Sequence, residues 1–261
     1  MKALAELDAR SVRAVLVDID ETLTTAGKLT GDAYTALERL HAAGKIVVPV
    51  TGRPAGWCDH IARMWPVDAV IGENGAFYFF FSEGKLHKRF LEDSAERAQK
   101  RARLDGIARR ILADVPGCAL AADQPYRETD LAIDYCEDVP PLPLEAAERI
   151  ATLMREAGLK AKISSIHVNG WFGDYDKLAT SRVLFAERFG LDLDRSNREL
   201  VFAGDSENDV PMFAFFRNSV GVANVRRFEG RLAAAPKYVT RGASGAGFVE
   251  LAEHLLHGVS S

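Results

Sequence analysis

The chain has 261 residues, 48% of them hydrophobic and 27% charged, with 33 basic against 37 acidic side chains for a formal charge of −4. This balance excludes a disordered chain and supplies no positive field for nucleic acid or an anionic membrane, so a small molecule is the expected partner. Cys58, Cys118 and Cys136 lie far apart with no CxxC spacing, which excludes a disulfide framework and a thiolate zinc site.

Taken in chain order, the N-terminal residues carry charges among their first apolar positions and show no secretory h-region. The expected compartment is the cytoplasm. Residues 12–17 (VRAVLV) form a short Val-rich run of the kind found in a buried central strand. Residues 32–43 read as a helix with Leu37 and Leu40 on one face and Gly44 ending it. A strand at 46–50, a helix at 55–64 and a strand at 69–71 complete a βαβαβ unit. Phe77 to Phe81 and residues 86–90 flank Ser82-Glu83-Gly84-Lys85, which suggests a hairpin. The aromatic run reads as hairpin packing, with a homodimer contact as the alternative.

A charged helix follows from residue 94 to about 113, then strands at 129–135, 159–163 and 166–168 with a helix at 143–157 between the first two. After Trp171 the first rhythm returns, with helices at 176–189, 208–216 and 245–257 and strands at 200–203, 219–222 and 237–240. The predicted architecture is an α/β doubly wound parallel sheet, Rossmann-like, interrupted by an α+β insertion. The core is expected to span residues 1–82 and 171–261, and the insertion 83–170.

Four segments carry chemistry. Asp18 and Asp20 follow the first strand in DIDETLT, and residues two apart in an extended backbone point to one side, so both carboxylates converge where open α/β sheets bind ligands. Acidic residues after a strand are also ordinary solvated loop residues. In VPVTGR a strand delivers Thr51 and Gly52 to a helix start, a hydroxyl and an N–H suited to an anionic oxygen. Arg53 reads equally as a helper there or as a solvated helix-start arginine. Lys177 opens a helix. In GDSEND a strand ends in Asp205, and Asn208 and Asp209 open the next helix. Two unit charges at ~4 Å repel by roughly 4 kcal/mol at an effective dielectric of ~20, so Asp18, Asp20, Asp205 and Asp209 in one cleft require a counter-ion. Oxygen ligands without clustered His or Cys favour Mg²⁺.

DIDETLT, TGR, the helix-borne Lys177 and GDSENDVPMF, in this order and at these strand ends, resemble the four motifs of the haloacid dehalogenase superfamily. The insertion resembles the α/β cap of its Cof-like subgroup, the type IIB cap. The resemblance implies that Asp18 is a nucleophile forming an aspartyl-phosphate and that Asp20 is the general acid and then base. It implies Mg²⁺ held by the Asp18 carboxylate, the Asp20 carbonyl and Asp205, with Asp209 a ligand or just behind one. Thr51, Gly52, Lys177 and Asn208 bind phosphoryl oxygens on the same grounds. The implied activity is hydrolysis of a small phosphorylated metabolite, a sugar phosphate first and a phosphoglycolate-like compound next. A phosphotransferase or mutase sharing the aspartyl-phosphate is one alternative, and a metabolite-binding module without turnover is another.

Selectivity is expected from the cap. Trp171 and Phe172, where the chain re-enters the core, and Arg127, ahead of a cap strand, are the candidates. Packing of the domain junction is the competing role for the two aromatics. The GASGAG run at 242–247 has neither the dinucleotide spacing nor a P-loop lysine and reads as a loop before the last helix.

Overall fold

The computed structural model describes residues 1–164 and 166–257. The chain runs β1 (Lys2–Ala3), β2 (Ala14–Val17), α1 (Gly31–Ala42), β3 (Ile46–Pro49), α2 (Ala55–Met64), β4 (Val70–Gly72), β5 (Phe77–Ser82), β6 (Lys85–Phe90) and α3 (Ser94–Asp114). It continues through β7 (Ala119–Leu120), β8 (Asp130–Asp134), α4 (Leu144–Glu156), β9 (Lys160–Ile163), β10 (His167–Trp171) and α5 (Lys177–Phe189). The last elements are β11 (Leu200–Gly204), α6 (Val210–Phe215), β12 (Asn218–Gly221), β13 (Tyr238–Val239) and α7 (Ser244–His257).

Six strands form one parallel sheet in the order β1-β13-β12-β11-β2-β3. The two-residue period of β2 sends Val15 and Val17 to the face covered by Leu37 and Leu40 of α1 and Leu251 and Leu255 of α7. Ala14 and Leu16 point the other way, onto Leu184 and Phe185 of α5 and Met212 and Phe213 of α6. Covering on both faces explains why the strand reads as a continuous apolar run. The expected doubly wound core is what forms.

The third strand of the expected βαβαβ unit departs from that plan. β4 touches the parallel sheet through a single bridge, Val50 to Ile71, and then leads an antiparallel β4-β5-β6 sheet. The cause is local: Glu73 and Asn74 hold left-handed backbone angles, φ 43° and 57°, so the chain reverses directly after β4 and Gly72 pairs with Phe77. The hairpin then packs on α2, with Phe77 and Phe79 buried beside Cys58 and Ile61, and with Phe90 of β6 against the same cluster. Both hairpin strands lie on this layer, and the division expected at residue 82 falls in its turn.

The inserted segment builds its own antiparallel sheet, β7-β8-β10-β9. α3 and α4 cover one face, where Leu104, Ile111, Ile150 and Met154 meet Ile133 and Val168. β10 runs to Trp171, beyond the expected 166–168, because Asn169 and Gly170 are paired to β8 on one side and β9 on the other. β1 and β7, two residues each, carry no periodic signal and are not legible in sequence. The helix expected at 208–216 begins as a 3-10 turn, Glu207–Asp209, before α6. No helix among the described residues is long and apolar enough to cross a membrane.

Candidate active site

The site grows from the carboxyl ends of two neighbouring strands. β2 pairs with β11, and the Asp18 N–H donates to the Ala203 carbonyl at 2.9 Å, so Asp18 and Asp205 leave the sheet side by side. The connections leaving β2, through α1, and β11, through α6, lie on opposite faces of the sheet and lead to strands on opposite sides, the place where doubly wound folds open a crevice. Directly after Asp18 the chain turns tightly, with the Leu23 and Thr24 N–H groups donating to the Ile19 carbonyl at 3.0 and 2.9 Å. Asp20 is thereby set at the cleft mouth. After β11, a Cβ on Gly204 would strike the Asp209 carboxylate, so glycine is what lets Asp209 fold back and accept the Asp205 N–H at 3.1 Å.

Lys177 enters from the opposite side. Asp176 caps α5 by accepting the Ala179 N–H at 2.7 Å, which starts the helix at Lys177 and drives its side chain inward. Its ammonium lies 2.7 Å from Asp18 Oδ1 and 2.9 Å from Asp209 Oδ1, and all three groups are buried. Burial works against the lysine charge, but the two carboxylates outweigh it and hold its pKa above the ordinary value. Burial, with Asp209, Asp205 and Asp20 adding repulsion against the pull of Lys177, pushes the Asp18 carboxyl well up. Burial and Asp209 likewise push Asp205 up to about 7.

Ligand atoms of Asp18, Asp205 and Asp209 lie within 4.8 Å of one another. Three clustered carboxylates with one lysine are short of positive charge, and their oxygen-only chemistry suits a hard divalent cation such as Mg²⁺. Asp205 accepts Asn224 Nδ2 at 3.0 Å and, at 3.5 Å, the Thr22 hydroxyl, and a hydrogen bond from Ser206 draws its pKa down against the burial. Both Asp209 oxygens are already engaged, one by Lys177 and one by the Asp205 N–H.

Asp20 sits in a different setting. Arg53 grips it with Nε at 3.0 Å and Nη2 at 2.8 Å from Oδ1. The arginine is only 6% exposed, so it is not a solvated helix-start arginine. It also reaches Glu137 of the inserted domain at 3.3 Å, and Glu137 in turn meets His167 Nε2 at 2.8 Å. The His167 contact first, then Arg53, holds the Glu137 carboxyl down at about 2 in spite of burial.

A narrow cleft of about 30 Å³ opens over this floor, bounded below by Asp18, Asp20, Gly52, Asp205 and Asn208 and above by Lys162, His167 and Asn169. Thr51, Lys177 and Asp209 stand just behind these walls; the Thr51 hydroxyl accepts the Arg53 N–H at 3.0 Å. Asn208 takes the Ser206 hydroxyl on its Oδ1 at 2.8 Å.

The predicted cap residues fare unequally. Arg127 reaches the cleft, but its guanidinium is taken up by Asp123, Asp130 and the Gly52 carbonyl, each at 2.9 or 3.0 Å. It fastens the insertion to the floor. Trp171 is buried in the junction, donating Nε1–H to the Tyr175 carbonyl at 3.3 Å, and borders a narrow side recess. Phe172 is packed in the insertion's own core under the Arg103 guanidinium. Sequence reasoning missed Lys162, His167, Asn169 and Glu137. A signal existed: KAKI and HVN alternate polar with apolar, which places Lys162, His167 and Asn169 on the sheet face turned away from α3 and α4.

Together the fold and the site define a phosphatase built on a doubly wound sheet beneath an inserted cap. Residues 15–100 match the family model of the haloacid dehalogenase-like hydrolases. A phosphoglycolate phosphatase of Pyrobaculum neutrophilum is 30% identical over 249 residues, 94% of this chain and 96% of that protein. A HAD/Cof-like hydrolase of Plasmodium vivax shares the fold at TM-score 0.68 and 15% identity, over 96% of this chain and 98% of its own. The sucrose-phosphatase of Synechocystis does so at TM-score 0.63 and 14% identity, over 94% and 98%. The chain belongs to the haloacid dehalogenase-like hydrolases.

Proposed function

We propose that this phosphatase is Mg²⁺-dependent and hydrolyses a small phosphorylated acid through a phosphoryl adduct on Asp18. One observation carries the reading: Asp18 is a buried carboxylate at the cleft floor with one oxygen held by Lys177 and, among the described residues, no hydrogen bond to the other, two residues from a second carboxylate at the mouth. That other oxygen of Asp18 attacks phosphorus while the ester oxygen departs toward Asp20. Asp20 gives that oxygen its proton, and the carboxylate so formed is the state Arg53 stabilises. In the second step Asp20 takes a proton from water, and water cleaves the acyl phosphate. Lys177, the Gly52 N–H and Asn208 bind phosphoryl oxygens. Asp18 and Asp205 would hold Mg²⁺ with Asp209 behind them, and the bound ion would offset charge between nucleophile and phosphate.

The cap is assigned residues from about 91 to 170, and its polar wall selects the substrate. Among the described residues the Lys162 ammonium has a single partner, the Asn208 carbonyl at 3.4 Å, and faces the cleft. A cation without a carboxylate partner there suits a substrate with a second negative charge, and the Pyrobaculum relative is named for phosphoglycolate. A sugar phosphate is the second reading, supported by Asn169 and His167 as hydroxyl partners and by the sucrose-phosphatase fold. Phosphate release with Mg²⁺ from phosphoglycolate, hexose phosphates and p-nitrophenyl phosphate tests both. The reading requires kcat/KM to be highest for the acid, and a flat profile or a hexose preference contradicts it.

A further inference from the structure

We infer that Asn74 is a further substrate-binding residue, whose side-chain amide donates to a phosphoryl oxygen of the bound ester. The inference rests on the phosphatase reading above. It starts from backbone that is costly to hold: Asn74 has φ 57° and ψ 22° and follows Glu73 at φ 43°.

Four segments pin this turn. The buried Glu73 carboxylate accepts the Ala55 N–H of α2 at 2.9 Å and the Glu128 and Thr129 N–H groups of the cap at 2.9 and 2.7 Å. The Asn74 N–H donates to the Thr51 carbonyl at 3.1 Å. The Thr180 hydroxyl of α5 donates to the Gly75 carbonyl.

What the turn presents is an amide without a partner. Asn74 is 7% exposed, and among the described residues its Nδ2 finds no hydrogen-bond partner. Buried polar groups are ordinarily satisfied, so an orphan donor on an over-determined turn at a cleft calls for a ligand. The amide lies across Gly52, where a Cβ would sit 3.2 Å from both Nδ2 and Oδ1. This gives Gly52 a second reason to be glycine. Asn74 borders the main cleft with Asp18 and Asp20, and also the recess lined by Lys162, Lys177 and Asn208. A donor set among the Gly52 N–H and two ammonium groups suits an anionic oxygen, and the phosphoryl group is the anion that the Gly52 and Lys177 side of the cleft receives.

Two variants test this. Asn74→Gly removes the amide and tolerates the left-handed backbone, and Asn74→Asp keeps the shape but replaces the donor with a charged acceptor. With Mg²⁺ present, Asn74→Gly should raise KM for p-nitrophenyl phosphate and phosphoglycolate, and Ki for inorganic phosphate, by one common factor of about tenfold, the worth of a hydrogen bond to a charged acceptor. Asn74→Asp should raise all three further. Unchanged Ki in either folded variant overturns the inference, as does a loss confined to one ester. If the wild type shows no turnover, the phosphatase reading fails on its own. Calorimetric binding of inorganic phosphate to wild type and variants then still decides Asn74, and equal affinities overturn it. Should the glycine variant fail to fold, the isosteric aspartate variant supplies the same readouts.

Discussion

The floor of the cleft and its roof solve the problem of buried charge in opposite ways. On the floor, Asp18, Asp205 and Asp209 crowd around a single lysine and remain short of positive charge. On the roof, Lys162 is a cation short of negative charge, while Arg127 is saturated by carboxylates. The difference separates two tasks. An electron-rich floor is matched to a metal ion and to attack on phosphorus, and a roof with one uncompensated cation is matched to the rest of an anionic substrate.

The largest expected effect falls on the floor. Asp18→Asn removes the attacking oxygen at constant volume, so phosphate release should drop by roughly three orders of magnitude or more while circular dichroism is unchanged. Asp20→Asn should cost somewhat less, on the order of 10²–10⁴-fold with an alkyl phosphate, because it removes proton transfer and keeps the nucleophile. p-Nitrophenyl phosphate, whose leaving group needs little protonation, should be partly spared in its first step. Equal loss on both substrates in pre-steady-state assays would remove Asp20 from the proton-transfer role.

The roof is expected to show itself in KM. Lys162→Met should raise KM for phosphoglycolate roughly tenfold to a hundredfold and leave p-nitrophenyl phosphate nearly unchanged, with Lys162→Arg restoring part of the loss. An equal rise for both would move Lys162 from the roof's task to the floor's.

These two regions also differed in how far they could be read beforehand. The floor was legible because each of its residues sits at the end of an apolar strand or the start of a helix, where spacing fixes direction: Asp18 after β2, Asp205 after β11, Lys177 behind its Asp176 cap. The roof was not, because a single polar residue in a cap strand acquires meaning only once the sheet's covered face is known. Lys162 and His167 became visible through the packing of α3 and α4 on the other side. Aromatic content misled at Phe172, which hydrophobicity draws into the cap core. Arg53 was ambiguous in sequence since its burial depends on Glu137, 84 residues away. β4 diverged from the expected parallel strand because the chain turns left-handed at Glu73 and Asn74, and the turn signal Asn74-Gly75 stood in the sequence unused.

Metal binding should sharpen the contrast by pH. With Asp205 raised to about 7, its proton competes with the cation, so Mg²⁺ affinity should climb by up to about tenfold per pH unit below about 7 and level off above it. The sign is fixed by the direction of the shift: a carboxyl raised above its unfolded value destabilises the metal-free fold as pH rises from about 4 toward 7. Saturating Mg²⁺ should therefore lift Tm more at about pH 8 than at about pH 6, and an equal lift at both would contradict the crowded-carboxylate picture. The smallest effect on chemistry is expected at Phe172. Phe172→Ala should lower stability by about 3–5 kcal/mol, as large core deletions do, with KM and kcat near wild type below the lowered Tm.

The central claim is that Asp18 forms a covalent phosphoryl adduct. Rapid acid quench of the Asp20→Asn variant with a labelled phosphoglycolate or p-nitrophenyl phosphate, followed by peptide mass spectrometry, addresses it directly. The account predicts the label on Asp18, accumulating because water attack is slowed, and absent in the Asp18→Asn protein. Label on another residue, or turnover by Asp18→Asn at the wild-type rate, would contradict it.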